Sequence, residues 1–303
     1  MVVFAGLAFE PLIGPATPPW RKANGAMRDV LHMPQDFQRT MSNDKPTTIY
    51  RHYCPPGVKR VLASGSSAFI GEVDSCTVFK YPLTPGGDMT RLTVERQLLE
   101  IIGPHERIIG LKSFSDTGLY LERALNGNVA DYMLESGKPL PSIKQRLTWC
   151  REAAEAVAWI HTRRVLHCDI QPTNILLDEE LHVKLSDFQG KQLSENGEVL
   201  LDGWSSEPCR FYCPREDPFD ADVKTDIFAL GCTIYFIIMG HAVFPDIIDG
   251  DDKWHKKVAD RFATQQFPQD QNACSVVTLK CWHKKYESAV EVVRDIKSLE
   301  RET

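Results

Sequence analysis

The stretch that most constrains this chain is His167–Gly190, HCDIQPTNILLDEELHVKLSDFQG. Its apolar residues (Ile170, Ile175, Leu176, Leu177, Leu181, Val183, Leu185 and Phe188) read as buried strand, yet Asp169, Asn174 and Asp187 stand among them. A buried carboxylate is costly unless it is paired, so each needs a local partner or a use. The segments "NILLD" and "HVKLSD" look like two arms of a hairpin turning at Glu179-Glu180. That hairpin predicts Asn174 and Asp187 at one end, with Asp169 just before it. One reading makes all three turn formers that hydrogen-bond their own backbone. The other notes that two converging oxygen donors suit Mg²⁺, a hard ion whose shell phosphate oxygens complete, and that Asp169 is then free to accept a hydroxyl proton. Three such residues at this spacing, behind a long helix, favour the second.

The flanking pattern gives these residues a scaffold. "VLASGSSAFIGEV" and "CTVFKYP" read as two strands of a hairpin, loosest at Gly65 and Gly71. "TRLTVERQLLEII" carries a helical stripe ending at Gly103-Pro104, and "IIGLKSF" and "GLYLERA" read as two further strands. Beyond Asn126-Gly127-Asn128, "IKQRLTWCREAAEAVAWIHTRR" predicts a long helix whose basic end suits the helix dipole. Helical patterns return around 226–240 and 286–300. Residues 1–56 hold eight of the 19 prolines without a sustained period, which predicts a poorly ordered leader. Methionines 27, 33 and 41 leave room for a downstream start.

Composition narrows the function classes. The net charge of −6 and the absence of a long basic run argue against a nucleic-acid partner. Nine cysteines, an odd number and scattered, predict reduced thiols and an intracellular setting, in cytoplasm or nucleus. Cys209/Cys213 and Cys281/His283 lack a second ligand pair at zinc spacing. "MVVFAGLAFEPLIG" lacks the basic start of a signal peptide. The run Ile227–Phe244 just reaches membrane-spanning length, but a helix buried on all sides looks the same and nothing basic flanks it. No membrane is therefore expected.

"His167-Cys168-Asp169-Ile170-Gln171-Pro172-Thr173-Asn174" matches the catalytic loop H-R-D-L-x-x-x-N, and "Asp187-Phe188-Gln189-Gly190" looks like D-F-G with one residue inserted. On these motifs the chain resembles the eukaryotic protein kinase family, from about Val61 to Leu299, with the flavour of divergent kinase-like proteins of filamentous fungi. The resemblance implies an α+β, bilobal fold over residues 57–303: a small antiparallel N-lobe with one helix (about 57–122) and a larger, mainly helical C-lobe (about 125–303). It implies ATP and Mg²⁺ as cofactors and a protein substrate as partner. Lys80 in "TVFK" would hold the α- and β-phosphates and Glu95 would be its ion-pair partner, Glu100 fitting less well. Asp169 would be the catalytic base, and Asn174 and Asp187 the metal ligands. Ala63, Gly65, Ser66, Ile70, Lys80, Glu122, Ala124 and Leu176 would surround the nucleotide, with Leu121–Ala124 as the hinge. Leu99, Leu111, His167 and Phe188 would form an apolar spine. "PRED" (214–217) would close the activation segment, and Asp226 would start the buried helix.

Several positions depart from the pattern. Only Gly65 survives of the glycine-rich loop, in Ala63–Ala68, though small residues still let the backbone approach phosphates. Cys168 replaces an arginine that commonly pairs with a phosphorylated loop residue, which argues against control of that kind, although Ser194, Ser205 and Ser206 lie in the segment. Gln171 stands where a lysine usually steadies the γ-phosphate, and the extra Gln189 is expected to shift the metal-bearing loop. "CWHKKYESAVEVV" lacks the arginine that would pair with the acid of "PRE". A Ser/Thr protein kinase is the reading that keeps Lys80, Glu95, Asp169, Asn174 and Asp187 useful together. The alternatives are a catalytically weak pseudokinase serving as a nucleotide-binding scaffold and a small-molecule kinase; "PRED" and "KTDIFALG" disfavour the latter.

Overall fold

The computed structural model describes residues 53–135 and 140–303. The remainder of the expected leader, residues 1–52, lies outside the described residues. Five antiparallel strands form the first layer: β1 (Arg60–Ser64), β2 (Ala68–Glu72), β3 (Thr77–Pro82), β4 (Leu111–Ser115) and β5 (Gly118–Glu122), in the order β1-β2-β3-β5-β4. The segment expected as a single strand from Val61 to Val73 is thus two, broken at Gly65–Ser67, where the Gly65 N–H bonds the Ala68 carbonyl at 2.9 Å. A Gly-Ser-Ser turn between two short apolar runs favours that reversal.

Side chains alternate across this sheet. Phe69, Phe79 and Tyr81 form a separate aromatic cluster on one face, with Tyr53 and Val58 packed on it. The Tyr81 hydroxyl donates to the Tyr53 carbonyl at 2.8 Å and Pro55 is buried, so residues 53–56, assigned to the leader by their prolines, lie against the lobe. The other face carries Ala68, Val78 and Lys80 and receives helix α1 (Thr90–Ile102), with Leu92, Val94, Leu98, Leu99 and Ile102 buried.

The second layer is helical: α2 (Val129–Leu134), α3 (Ile143–Thr162), α4 (Val223–Met239), α5 (Trp254–Ala263), α6 (Ser275–Trp282) and α7 (Ala289–Glu302). Helix α4 begins with a capping box between Asp222 and Thr225 and ends at Gly240 in the left-handed region. It is apolar all round because α3, α6 and the catalytic loop surround it. Gly231 is a close-approach position: a Cβ there would lie 2.5 Å from Cys281 Cβ on α6. No helix among the described residues is long and apolar enough to cross a membrane. The late helical pattern around 286–300 is α7, and a turn in which Lys284 has φ +54° separates it from α6. All nine cysteines are free thiols.

Between the layers run β6 (Val165–Leu166), a 3₁₀ turn Pro172–Asn174, the hairpin β7 (Ile175–Leu177) and β8 (Val183–Leu185), and the hairpin β9 (Lys191–Leu193) and β10 (Val199–Asp202). Glu152, fully buried on α3, hangs the β7–β8 hairpin from that helix. Its carboxylate accepts from the Val183 N–H at 2.9 Å and pairs with Arg107 at 3.0 Å. The architecture is an antiparallel N-terminal sheet with one helix over a helical C-terminal region, the α+β arrangement expected.

Candidate active site

Cross-strand register sets out the upper side of the site. Ala63 pairs with Ile70, Ile70 with Lys80 and Lys80 with Leu119, so the four form one row across the sheet. Lys80 therefore leaves the sheet on the face that packs against α1, where a long charged side chain needs an acid to be buried. Glu95 supplies it at 2.5 Å, and Asp187 receives the same ammonium at 2.6 Å. Glu100, the poorer candidate, is exposed on the far side of α1. Burial opposes the charge of Lys80, but Asp187 and Glu95 outweigh it and raise its pKa. Burial raises the Glu95 carboxyl to about 7, against the opposing pull of Lys80 and with help from the Asp187 charge.

The lower side comes from the catalytic loop. The expected hairpin forms, with Ile175 opposite Leu185, and places Asn174 and Asp187 at its open end. The Ser186 N–H and hydroxyl both donate to the Asn174 carbonyl at 3.0 Å, fixing that end. Asn174 Nδ2 donates to the Asp169 carbonyl at 2.8 Å and to Asp169 Oδ2 at 2.9 Å, while Gln171 Nε2 donates to Oδ1 at 2.7 Å. Asp169 is thus held by two amides. Burial and then the Asp187 charge push its pKa well up, against the two amide hydrogen bonds, which makes it a stronger base than an ordinary aspartate.

The backbone of this loop is strained, and Asp226 holds it. Cys168 has φ +59°, a conformation that costs an L-residue about 1–2 kcal/mol. The His167 and Cys168 N–H groups donate to the two oxygens of Asp226 at 2.8 and 2.9 Å, and His161 adds a third contact at 3.0 Å. Asp226 is fully buried; burial works against its charge, but these partners hold its pKa below the ordinary value. His167 donates from Nε2 to the Ser186 carbonyl at 3.0 Å, and its ring meets Phe188 at 5.0 Å. Leu99 and Phe188 belong to the main core and Leu111 packs against it.

The nucleotide-facing residues are distributed as follows. Ala63, Gly65 and Ser66 are exposed along β1 and its turn, while Ile70 and Leu176 are half-buried against the core on β2 and β7. Glu122 ends β5; its carboxylate accepts from Gly110 N–H at 3.0 Å and pairs with Lys184 at 3.0 Å. The Ala124 N–H, two residues on, has no partner among the described residues.

Two oxygens remain for a cation. Asn174 uses its amide nitrogen on Asp169, which leaves Oδ1. Asp187 spends Oδ1 on Lys80 and Gln189, which leaves Oδ2. Neutral and anionic oxygens fit Mg²⁺, which needs few protein ligands when phosphates supply the rest. No cluster of three His, Cys, Asp or Glu side chains suited to a metal exists among the described residues.

Some site residues were not legible beforehand. The role of Asp226 toward His167 and Cys168 spans nearly sixty residues; the available signal was an acid in the first turn of an otherwise apolar helix. Glu207, buried, pairs with Arg215 at 2.8 Å inside the activation segment, whereas Glu216 of "PRED" is exposed. The buried ion pair of this segment is thus Glu207–Arg215 and does not include the acid of "PRE". Gln189 leaves the Lys80–Asp187 contact in place rather than displacing it.

A sequence profile described as protein kinase domain matches residues 82–299, beginning just after Lys80. The chain is 28% identical over 168 residues to serine/threonine-protein kinase kin-29 of Caenorhabditis elegans, covering 52% of this chain and 19% of that protein. It is 32% identical over 167 residues to a 3-phosphoinositide-dependent protein kinase 1 of Arabidopsis thaliana, covering 50% of this chain and 33% of that one. A carbon catabolite-derepressing protein kinase of Secale cereale is 28% identical over 162 residues, covering 51% and 31%. The chain spans a third or less of the length of each of these relatives.

Proposed function

Starting from a chain that belongs to the protein kinase family, we propose that it transfers the γ-phosphate of ATP to a Ser or Thr hydroxyl of a protein substrate. The observation that carries this is the Lys80 ammonium bridging Glu95 at 2.5 Å and Asp187 at 2.6 Å. That bridge sets a positive charge and a metal-binding carboxylate side by side across the two layers, the placement phosphoryl transfer needs. Such chemistry asks the protein for positioning and charge neutralisation more than for covalent work.

Lys80 orients the α- and β-phosphates, and the main chain at Glu122 and Ala124 offers hydrogen-bonding groups to adenine. Asp169, held by Asn174 and Gln171, accepts the proton of the attacking hydroxyl. Asn174 and Asp187 would hold Mg²⁺, which neutralises phosphate charge when bound. The preference for Ser/Thr draws support from a relative whose name states it. An intracellular site of action fits the nine free thiols.

A nucleotide-binding scaffold is the second reading, and one observation favours it. Gln171 spends its amide on Asp169 and offers no cation to the γ-phosphate. The two readings separate in an assay of ³²P transfer from Mg·ATP to a generic basic protein. Wild type, Asp169→Asn and Asp187→Asn are compared, with folding checked in each. Transfer by wild type that both variants abolish is the expected result. Nucleotide binding without any transfer would replace the kinase reading with the scaffold.

A further inference from the structure

Gln189 lies in the middle of the most charged part of the interior. It is buried, and its Nε2 donates to Asp187 Oδ1 at 3.0 Å, the oxygen that also receives Lys80 at 2.6 Å. A long amide is costly to bury without partners, so its presence here is informative. The charges around it do not balance: one ammonium, Lys80, serves two carboxylates, Glu95 and Asp187. Among the described residues Glu95 Oε1 is buried with no hydrogen-bond partner, and the nearby Gln189 side chain favours the charged form of Glu95. An amide eases the surplus negative charge without adding a cation that would compete with a metal.

The backbone keeps the amide in place. Asp187 has φ +66°, and the Gln189 N–H donates to the Asp187 carbonyl at 3.1 Å, closing a tight turn. The Ser205 N–H donates to the Gln189 carbonyl at 3.2 Å. Gly203 and Gly190 let the chain close over this turn: a Cβ at Gly203 would lie 2.4 Å from the Gln189 carbonyl oxygen, and one at Gly190 2.0 Å from that of Leu166. The turn is thus clamped between the catalytic loop and the returning end of the β9–β10 segment, with the Gln189 side chain fixed toward Asp187.

We propose that Gln189 is a positioning residue for the metal-binding carboxylate. It holds Asp187 Oδ1 beside Lys80 and so turns Oδ2 toward the Mg²⁺·ATP side. This rests on the reading of the site as one for Mg²⁺ and ATP. Residues that orient a metal ligand commonly govern metal affinity about tenfold when removed.

The test uses the full chain, Mn²⁺ as the probe and a non-hydrolysable ATP analogue, with bound Mn²⁺ read by electron paramagnetic resonance. Gln189→Met keeps the volume and removes the donor; Gln189→Glu keeps the shape and adds a like charge. Both are expected to weaken nucleotide-dependent Mn²⁺ binding by about tenfold, Gln189→Glu more than Gln189→Met, with the metal-free melting temperature of Gln189→Met near that of wild type. Unchanged Mn²⁺ affinity in Gln189→Met would reduce Gln189 to space filling and overturn the proposal while leaving the kinase reading intact. Should Gln189→Met fail to fold, unchanged affinity in Gln189→Glu overturns it equally. Wild type that binds the analogue with no dependence on Mn²⁺ would overturn the reading of the site itself.

Discussion

The two sides of this site are held in opposite ways. Above, Lys80, Glu95 and Asp187 are joined side chain to side chain, charge to charge. Below, Asp226 holds the catalytic loop side chain to backbone, through the N–H groups of His167 and Cys168. The first arrangement places charges where a ligand carrying the opposite charge would meet them. The second fixes the course of the chain and takes no part in meeting a ligand. Removal of a group above is therefore expected to cost activity more than stability, and removal below to cost both through the fold.

The strongest way to break this contrast is Lys80→Met. Transfer should fall about 10²–10³-fold, the scale seen when one preorganised electrostatic donor is lost. The fold should survive, because Glu95, with its carboxyl already at about 7, takes a proton once the ammonium is gone. A variant that unfolds instead would show that the upper network is structural.

Asp226→Asn is the matching change below. An amide keeps the shape but gives up charge-assisted hydrogen bonds to a strained loop, for a cost of about 2–3 kcal/mol. For a chain of this size that corresponds to a fall of about 3–6 °C in melting temperature. Activity should drop in step with the folded fraction, and a variant that melts like wild type would remove Asp226 from its assigned role.

How much of this was legible in the sequence follows the same division. The β7–β8 hairpin could be read because its pattern is local: alternating apolar residues and a turn put Asn174 and Asp187 at one end. Helix α4 could be read as buried because its apolar run lies within one stretch. Contacts that join distant segments left no periodicity to read. Asp226 on Cys168, Glu152 on Val183 and Glu207 on Arg215 are pairings made by packing rather than by neighbours in the pattern. The split at Gly65–Ser67 was missed because a short turn inside an apolar run looks like one loose strand. Gln189 reads as a disturbance in the sequence because the Asp187 it bonds meets Lys80 and Glu95 only in the fold.

The upper network also has a pH signature. Below pH about 7 the folded state keeps on Glu95 a proton that the unfolded chain releases at ordinary carboxylate pH, so this contribution to stability is complete at low pH and is lost as pH rises through about 7. Metal-free wild type should lose about 1 kcal/mol between pH 6 and 8 relative to Glu95→Gln, which has no proton to release there. Thermal melts of the two proteins at both pH values read the difference. A gap that stays constant would place the Glu95 titration elsewhere.

The smallest effect sharpens the comparison at the exposed edge of the upper side. Gly65 has no left-handed backbone to protect, and a Cβ there would meet only the Ala68 carbonyl oxygen at an ordinary 3.6 Å. Gly65→Ala should therefore change stability by no more than about 0.5 kcal/mol. Any rise in the KM for ATP then measures how closely the β1–β2 turn approaches the phosphates, since the added methyl touches nothing else. A KM a few times that of wild type, at unchanged melting temperature, is expected. An unchanged KM would mean that the turn stands off the nucleotide, leaving Lys80 and the metal-binding oxygens to hold the phosphates from the other side.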